Sequence, residues 1–437
     1  MINLARKLML GALAFLAVRV EGVTAHSTST QTNTATGVAV DSGGNFLLGG
    51  YTQPSQVLPG FLAKVPAAMS APPTWQRKQS LTARFGLVTA NSVGVDSSDN
   101  VYAIGQGYVT ATPDLPHLFK YNSAGALQWQ RKLTAADNSN CSGLAVTSSG
   151  DCFFALGVTA ATAYGMIAKY NSSGTLQGQR KLTGTYRVYF SGLRERTAGG
   201  ALTAGHLYDG GSAASNSRGL VVAYDSTPAI VWQKKVHFGE QGSWDNLAED
   251  AVTGDIILGG STSSSTYGVV LKLSSDGTTV AWHKKHPTSS TSILSVAVDS
   301  ATGYVYFTYG LSGSGFVVGC LDSSGSPVWL RNFIGNGGTT GSARELKVSG
   351  SHLLVVGSLP RTSQGTDAVL LRLPKGTGGA IGAIGWITSS EPAAIAWTTG
   401  APAVANAGLT DAAGTHTDAA GTVTDAAETL TFTAIAS

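Results

Sequence analysis

Short apolar runs, each closed by a turn rich in Gly, Asp, Asn or Ser, follow one another along most of the chain. The pattern predicts many short strands, because Val, Ile, Tyr, Phe and Thr suit a pleated surface and the turn residues tolerate tight bends. Four segments align directly. Gly37-Val-Ala-Val-Asp-Ser-Gly-Gly-Asn45 leads into Phe46-Leu-Leu-Gly-Gly-Tyr-Thr52, and Val93-Gly-Val-Asp-Ser-Ser-Asp-Asn100 into Val101-Tyr-Ala-Ile-Gly105. Leu144-Ala-Val-Thr-Ser-Ser-Gly-Asp151 leads into Cys152-Phe-Phe-Ala-Leu-Gly157, and Val296-Ala-Val-Asp-Ser-Ala-Thr-Gly303 into Tyr304-Val-Tyr-Phe-Thr308. Each predicts a hairpin.

A third strand follows in each unit, as in Gly60-Phe-Leu-Ala-Lys-Val65 and Met166-Ile-Ala-Lys-Tyr170, and ends in turns such as Asn122-Ser-Ala-Gly125 and Asn171-Ser-Ser-Gly174. A fourth closes it: Trp75-Gln-Arg-Lys78, Trp129-Gln-Arg-Lys132, Gly178-Gln-Arg-Lys181, Trp232-Gln-Lys-Lys235, Trp282-His-Lys-Lys285 and Trp329-Leu-Arg-Asn332. These anchors are 54, 49, 54, 50 and 47 residues apart, and a seventh unit runs from Glu345 through Val369–Leu373 towards Trp386, 57 residues beyond Trp329. Four strands in about 50 residues, seven times over, predict an all-β chain folded as a seven-bladed β-propeller of four-stranded blades, because each sheet needs a neighbour on both faces. The expected organisation is an N-terminal anchor or signal-like segment over residues 1–34, the propeller over 35–390 and a C-terminal extension over 391–437. Trp75, Trp129, Trp232, Trp282, Trp329 and Trp386 are expected to pack between blades, in preference to forming a ligand-stacking cage. Every unit reads as complete from inner to outer strand. No blade is therefore expected to mix the two termini, and residues 19–34 or the tail should reinforce the seam between blades one and seven.

The run Gly-Val-Ala-Val-Asp-Ser-x-Gly-Asn, followed by a strand ending Gly-Tyr-Thr and by Phe-Leu-Ala-Lys-Val, resembles the bacterial β-propeller repeats called SBBP over roughly residues 35–390. The regular Trp resembles the docking tryptophan of quinoprotein propellers, but no cluster of acidic and amide residues suits calcium and a quinone. The resemblance implies the fold and says little about function, since propellers serve as enzymes, adhesins and scaffolds.

The first 18 residues carry two basic residues and then an apolar stretch from Leu8 to Val18. With Val23-Thr-Ala25 as a cleavage site they read as a secretory signal; the stretch is short for a membrane span. Ala5-Arg-Lys-Leu-Met-Leu-Gly-Ala12 also resembles the N-terminal anchor of tail and other virion proteins of tailed bacteriophages, which implies a retained docking segment. At the other end, Thr410-Asp-Ala-Ala-Gly-Thr-His416, Thr417-Asp-Ala-Ala-Gly-Thr-Val423 and Thr424-Asp-Ala-Ala-Glu-Thr-Leu430 form three seven-residue repeats. Gly414, Gly421 and the missing apolar seam argue against a coiled coil, so extended or turn-rich structure packed on a neighbour is expected, ending in a strand over Leu430–Ile435, with a loosely ordered Ala/Thr tail as the alternative.

Charge and composition narrow the chemistry. Charged residues make up 12% of the chain and the net charge is +3, too little for a nucleic-acid groove. Three cysteines are too few for a disulfide scaffold. Cys141 and Cys152 sit on two arms of one hairpin, about 20 Å apart at roughly 3.3 Å per residue, and with Cys320 read as small core residues. Loops such as Asp41–Asn45, Asp96–Asn100 and Asp250–Asp255 could suggest calcium but lack the ligand density of an EF-type loop; Asx-turns account for them. No metal or cofactor is expected. No nucleophile elbow, phosphate loop or paired His motif occurs. Glu195, Glu240, Glu249 and Glu345 are the acids a fold would have to gather for a glycan-active enzyme. The basic pairs Arg77 and Lys78, Arg131 and Lys132, Arg180 and Lys181, Lys234 and Lys235, and Lys284 and Lys285 recur on the outermost strand. They read as edge-protecting charges or as a docking belt for an acidic neighbour or anionic glycan.

The function expected from sequence is a structural protein of a tailed-phage virion, in a tail, fibre or decoration role and in multiple copies. Its partners would be other virion proteins, reached through residues 1–34 and 391–437, with host-surface glycan binding as a secondary expectation. A secreted bacterial propeller acting as adhesin or scaffold is the alternative, and no catalysis is expected.

Overall fold

The computed structural model describes residues 21–26, 32–53, 59–69, 73–80, 84–87, 89, 92–108, 115–134, 138–159, 163–183, 187–208, 217–237, 242–262, 267–286, 291–311, 315–337, 341–362 and 365–376. Beyond these it describes six short strands, 388–390, 403–406, 410–413, 417–420, 424–427 and 431–435. All regular structure among the described residues is β, built from repeated four-stranded antiparallel units. Unit one runs Thr32–Val40, Phe46–Gln53, Gly60–Val65 and Trp75–Ser80; unit six runs Ile293–Asp299, Tyr304–Leu311, Gly315–Leu321 and Pro327–Ile334. In unit two the first strand is broken into Arg84–Gly86 and Val93–Val95.

The core is not one mass but a series of apolar layers between consecutive units. Leu47 and Leu62 of unit one meet Ala103 and Phe119 of unit two. Phe153 and Ile167 of unit three meet Leu220 and Val222 of unit four. Phe316 and Val318 of unit six meet Leu353 and Val369 of unit seven. The series closes on itself, because Leu354, Val356 and Leu370 of unit seven pack on Val38, Leu48 and Phe61 of unit one. Strands buried on both faces explain why their sequences are runs of apolar residues rather than alternations. The arrangement defines a β-propeller.

Ring closure differs from the sequence expectation. The first three strands of unit seven are Ser342–Ser349, His352–Arg361 and Gly365–Pro374, and the fourth is Glu21–His26, antiparallel to the third with Val23 opposite Leu370. One unit therefore does mix the termini. The physical reason is that Val-Thr-Ala, read as a cleavage site, is equally a short strand, and a three-stranded unit leaves a backbone edge to be paired. Trp386, expected in that outer strand, lies outside the described residues. The 34/35 boundary falls within the strand Thr32–Val40.

The C-terminal segment continues the outward growth of the sheets. Thr388–Ser390 pairs with the fourth strand of unit six, Ala403–Asn406 with that of unit four, Thr410–Ala413 with unit three, Thr417–Ala420 with unit two and Thr424–Ala427 with unit one. Thr431–Ile435 then pairs with Glu21–His26, which is held between it and Gly365–Pro374. The segment thus passes the units in the reverse of their chain order. Neighbouring strands turn by roughly 20–25°, so a fifth strand lies roughly 80–100° from the first and runs along the circumference. This is how seven residues can serve one unit and reach the next.

Candidate functional site

Around the axis, the first strand of six units carries a register shift at the same place, as between Ala35 and Gly37, Phe190 and Gly192, and Ala343 and Glu345. In units one, three, four, six and seven the residue after the shift faces the first strand of the next unit. It is Gly at positions 37, 143 and 192; a Cβ on Gly37 would lie 2.4 Å from Ser92 Oγ. In unit six Ser295 Oγ accepts the Leu346 N–H at 3.0 Å. In unit seven Glu345 takes the position, fully buried, and its Oε2 accepts the Val38 N–H at 2.8 Å. Lys347 Nζ lies 3.1 Å from Glu345 Oε1 and donates to the Val38 carbonyl. Glu345 and Lys347 therefore join unit seven to unit one beside the axis, on the inside of the seam that Glu21–His26 closes on the outside.

Two places further on, the first strands carry Ala39, Gly94, Ala145, Ala248 and Ala297 in five units but Arg194 in unit four and Lys347 in unit seven. Arg194 reaches to 3.9 Å from Glu345 and donates to Asn246 Oδ1 at 3.3 Å. Burial pulls the pKa of both cations down, and the Glu345 charge opposes it. Small apolar residues of units one to three, with Arg194, Glu195 and Lys347, line a cavity of about 330 Å³. Glu195 and Glu249 are close enough to repel, and burial with that repulsion raises the Glu195 pKa. Glu249 accepts two hydrogen bonds from Thr197, while Glu240 lies outside the described residues. Glu345 is thus paired with two cations, while Glu195 lines the same cavity and lies near Glu249. Aligning the first strands would have exposed Arg194 and Lys347; their pairing with Glu345 needed the ring.

The tryptophans sit between units. Trp75 Nε1 donates to the Ser123 carbonyl of unit two at 3.1 Å, Trp129 to Ser172 of unit three at 3.1 Å and Trp282 to Ser323 of unit six at 2.9 Å. Each indole lies on the turn glycine of the next unit: a Cβ on Gly125 would come within 2.6 Å of the Trp75 ring, and Gly125 has φ +79°. Only glycine meets both demands. Trp232 covers Gly277 in the same way, and Trp329 is half-buried beside Tyr306. Unit three has Gly178 where units one, two, four, five and six have Trp, and there the next turn offers Pro228, whose ring lies 3.3 Å from a Cβ built on Gly178.

The ten basic residues are all half-buried, and on four of the five strands they are not on a free edge. Arg77 Nε donates to the Gly125 carbonyl and Arg131 Nε to the Gly174 carbonyl, both at 2.6 Å, beside the indoles. Lys234 and Lys284 lie over Gly277 and Gly325. Lys181 stands 3.8 Å over the Tyr164 ring and Lys285 4.5 Å over Tyr267. Lys78, Lys132 and Arg180 stand in register with tail residues Ala426, Ala419 and Ala413, and Lys235 with Ala405. The expectation of charges guarding an open edge is corrected for units one to four: the strand pairs on both sides.

The Asp loops are Asx-turns clamped by lysine. Asp41 Oδ1 accepts the Asn45 N–H at 2.8 Å and Oδ2 pairs with Lys64 at 2.7 Å, which with burial opposing holds the Asp41 pKa below its usual range. Lys169 with Asp151 and Lys272 with Asp255 repeat the arrangement at 2.8 and 3.0 Å. Among the described residues no group of three or more His, Cys, Asp or Glu could hold a metal ion. Cys141 stands opposite Leu156 and Cys152 opposite Val146; burial pushes the thiols of Cys141, Cys152 and Cys320 up to about 12. They are core residues, not nucleophiles.

No known protein family and no curated protein matches the sequence. Among solved structures the chain is similar to Chaetomium thermophilum Sqt1, at 11% identity and TM-score 0.47 over 81% of this chain and 98% of that one. The Dos1 propeller matches at 12% identity and TM-score 0.47, covering 80% and 95%. A glucose dehydrogenase matches at 11% identity and TM-score 0.38, covering 82% and 99%.

Proposed function

We propose that this protein is a structural component of a tailed-phage virion, a seven-bladed propeller acting as a protein-interaction module without catalysis. The observation that carries the reading is the place of Glu21–His26. A signal peptidase cutting after Ala25 would remove all but His26 of the strand that completes unit seven. That disfavours the secreted alternative and favours an N-terminus that stays with the ring, entering it at the rim. The pairing of Glu345 with Arg194 and Lys347 supports a structural rather than an acid-base role for Glu345.

Intact-mass analysis of the natural protein, with sedimentation of phage particles, tests this. The expected result is a chain beginning at Met1 or Ile2 that travels with the particles. A mature chain beginning at His26, or one recovered apart from particles, would overturn it.

A further inference from the structure

Three of the tail strands are interchangeable. Thr410–Ala413, Thr417–Ala420 and Thr424–Ala427 all read Thr-Asp-Ala-Ala, and the strands that accept them read Arg-Lys-Leu-Thr, Arg-Lys-Leu-Thr and Arg-Lys-Gln-Ser. The register is the same each time, with the donor Thr opposite Thr183, Thr134 or Ser80 and the last Ala opposite Arg180, Arg131 or Arg77. Any of the three donors therefore fits any of the three acceptors, on the same molecule or on another.

The two partners also differ in charge. Residues 391–437 contain five acids (Glu391, Asp411, Asp418, Asp425 and Glu428) and no Lys or Arg. The remaining chain then has 28 bases and 25 − 5 = 20 acids, a net +8 against −5 for the tail. Opposite net charges steer an acidic segment towards the basic rim of a ring, whichever copy supplies it. Twelve residues of Thr, Asp and Ala offer few large apolar groups, so these strands are held mainly by main-chain hydrogen bonds, each of modest net strength. Exchanging such an element between copies replaces each contact by an identical one, which makes it a low-cost route to association.

We propose that the rim of units one to three is an acceptor for the C-terminal segment of a second copy, so that closely held copies are joined by exchanged strands. The proposal is independent of the virion reading, because it is tested on the purified full-length protein alone. One copy carries Thr134→Cys and an affinity tag, the other Thr417→Cys; these residues face each other in the pair. The two are mixed at about 1 mM total, comparable to the effective concentration of a tethered segment, and oxidised. A disulfide-linked heterodimer is expected, and Ala419→Pro on the Thr417→Cys copy, by removing an N–H from the pairing strand, should reduce it at least fivefold. A chain carrying both cysteines reports the pairing within one molecule. If that chain oxidises and the mixed copies give no heterodimer, the tail stays with its own ring and the proposal fails. If neither links, the pairing itself is absent and the proposal fails with it.

Discussion

Trp129 and Gly174 show what a single position is asked to do in this fold. The glycine supplies a turn at φ +77° and a surface flat enough for the indole, since a Cβ there would lie 2.8 Å from the Trp129 ring. The Gly178–Pro228 contact solves the same problem with the bulk on the other partner. Gly178→Trp alone should therefore collide with Pro228 and cost about 1–3 kcal/mol, as overpacked contacts do. Gly178→Trp with Pro228→Gly should recover at least half of that loss in urea unfolding; equal losses in the single and double variants would refute the pairing. His117 makes a second residue-scale prediction. It is buried, and burial lowers its pKa to about 3 from an ordinary 6.5. Between those values the unfolded chain binds a proton that the folded chain refuses, so stability falls as pH is lowered from 6.5 towards 3. At pH 5 the loss is about 2 kcal/mol. His117→Gln, which does not titrate, should show a correspondingly smaller loss between pH 7.5 and pH 5 in urea unfolding.

At the scale of the strand, the first strand of each unit has to satisfy an inner edge that faces the next unit rather than another ladder. The aligned register shifts answer this by turning one residue per unit towards its neighbour. Ser295 and Glu345 meet a backbone N–H there, whereas Gly37, Gly143 and Gly192 admit close approach. The seam between units seven and one takes the longest of these side chains, tied to Lys347 and Arg194. Glu345→Gln keeps an acceptor but leaves two half-buried cations without their counter-ion, and a loss of about 3 kcal/mol is expected from breaking such a pair. Equilibrium unfolding measures it; a variant as stable as the natural chain would show that the cations find other partners.

For the whole molecule, closure is double. Apolar packing and the Glu345 cluster join units seven and one from within, and Glu21–His26, itself bracketed by Gly365–Pro374 and Thr431–Ile435, joins the ends of the chain from without. Deleting residues 391–437 removes the bracket on Glu21–His26 together with the fifth strands of units one to four. Calorimetry should then show a thermal midpoint several degrees lower. Because the tail is acidic and the ring basic, the difference between full-length and truncated chains should shrink between 50 mM and 500 mM salt, where the Debye length falls from about 14 Å to about 4 Å. A midpoint unmoved by the deletion would leave the tail with a role in assembly only.

The repeat itself was legible in the sequence. Apolar runs, turn residues and the Trp spacing predict repeated four-stranded units, because each unit obeys the same local rules for strands and turns. Trp75, Trp129, Trp232 and Trp282 recur at one position of the fourth strand, and the structure sets each of them on the turn glycine of the next unit. The tertiary structure decided what depends on contacts between distant parts. Glu21–His26 carries the same short-strand pattern as any edge and finds its place only because unit seven lacks a fourth strand. Glu345 looked like one isolated acid among several until the ring set it between Val38, Lys347 and Arg194. The seven-residue period of the tail reads as a local repeat, but its meaning lies in the step from one unit's rim to the next, a distance that exists only once the ring has formed.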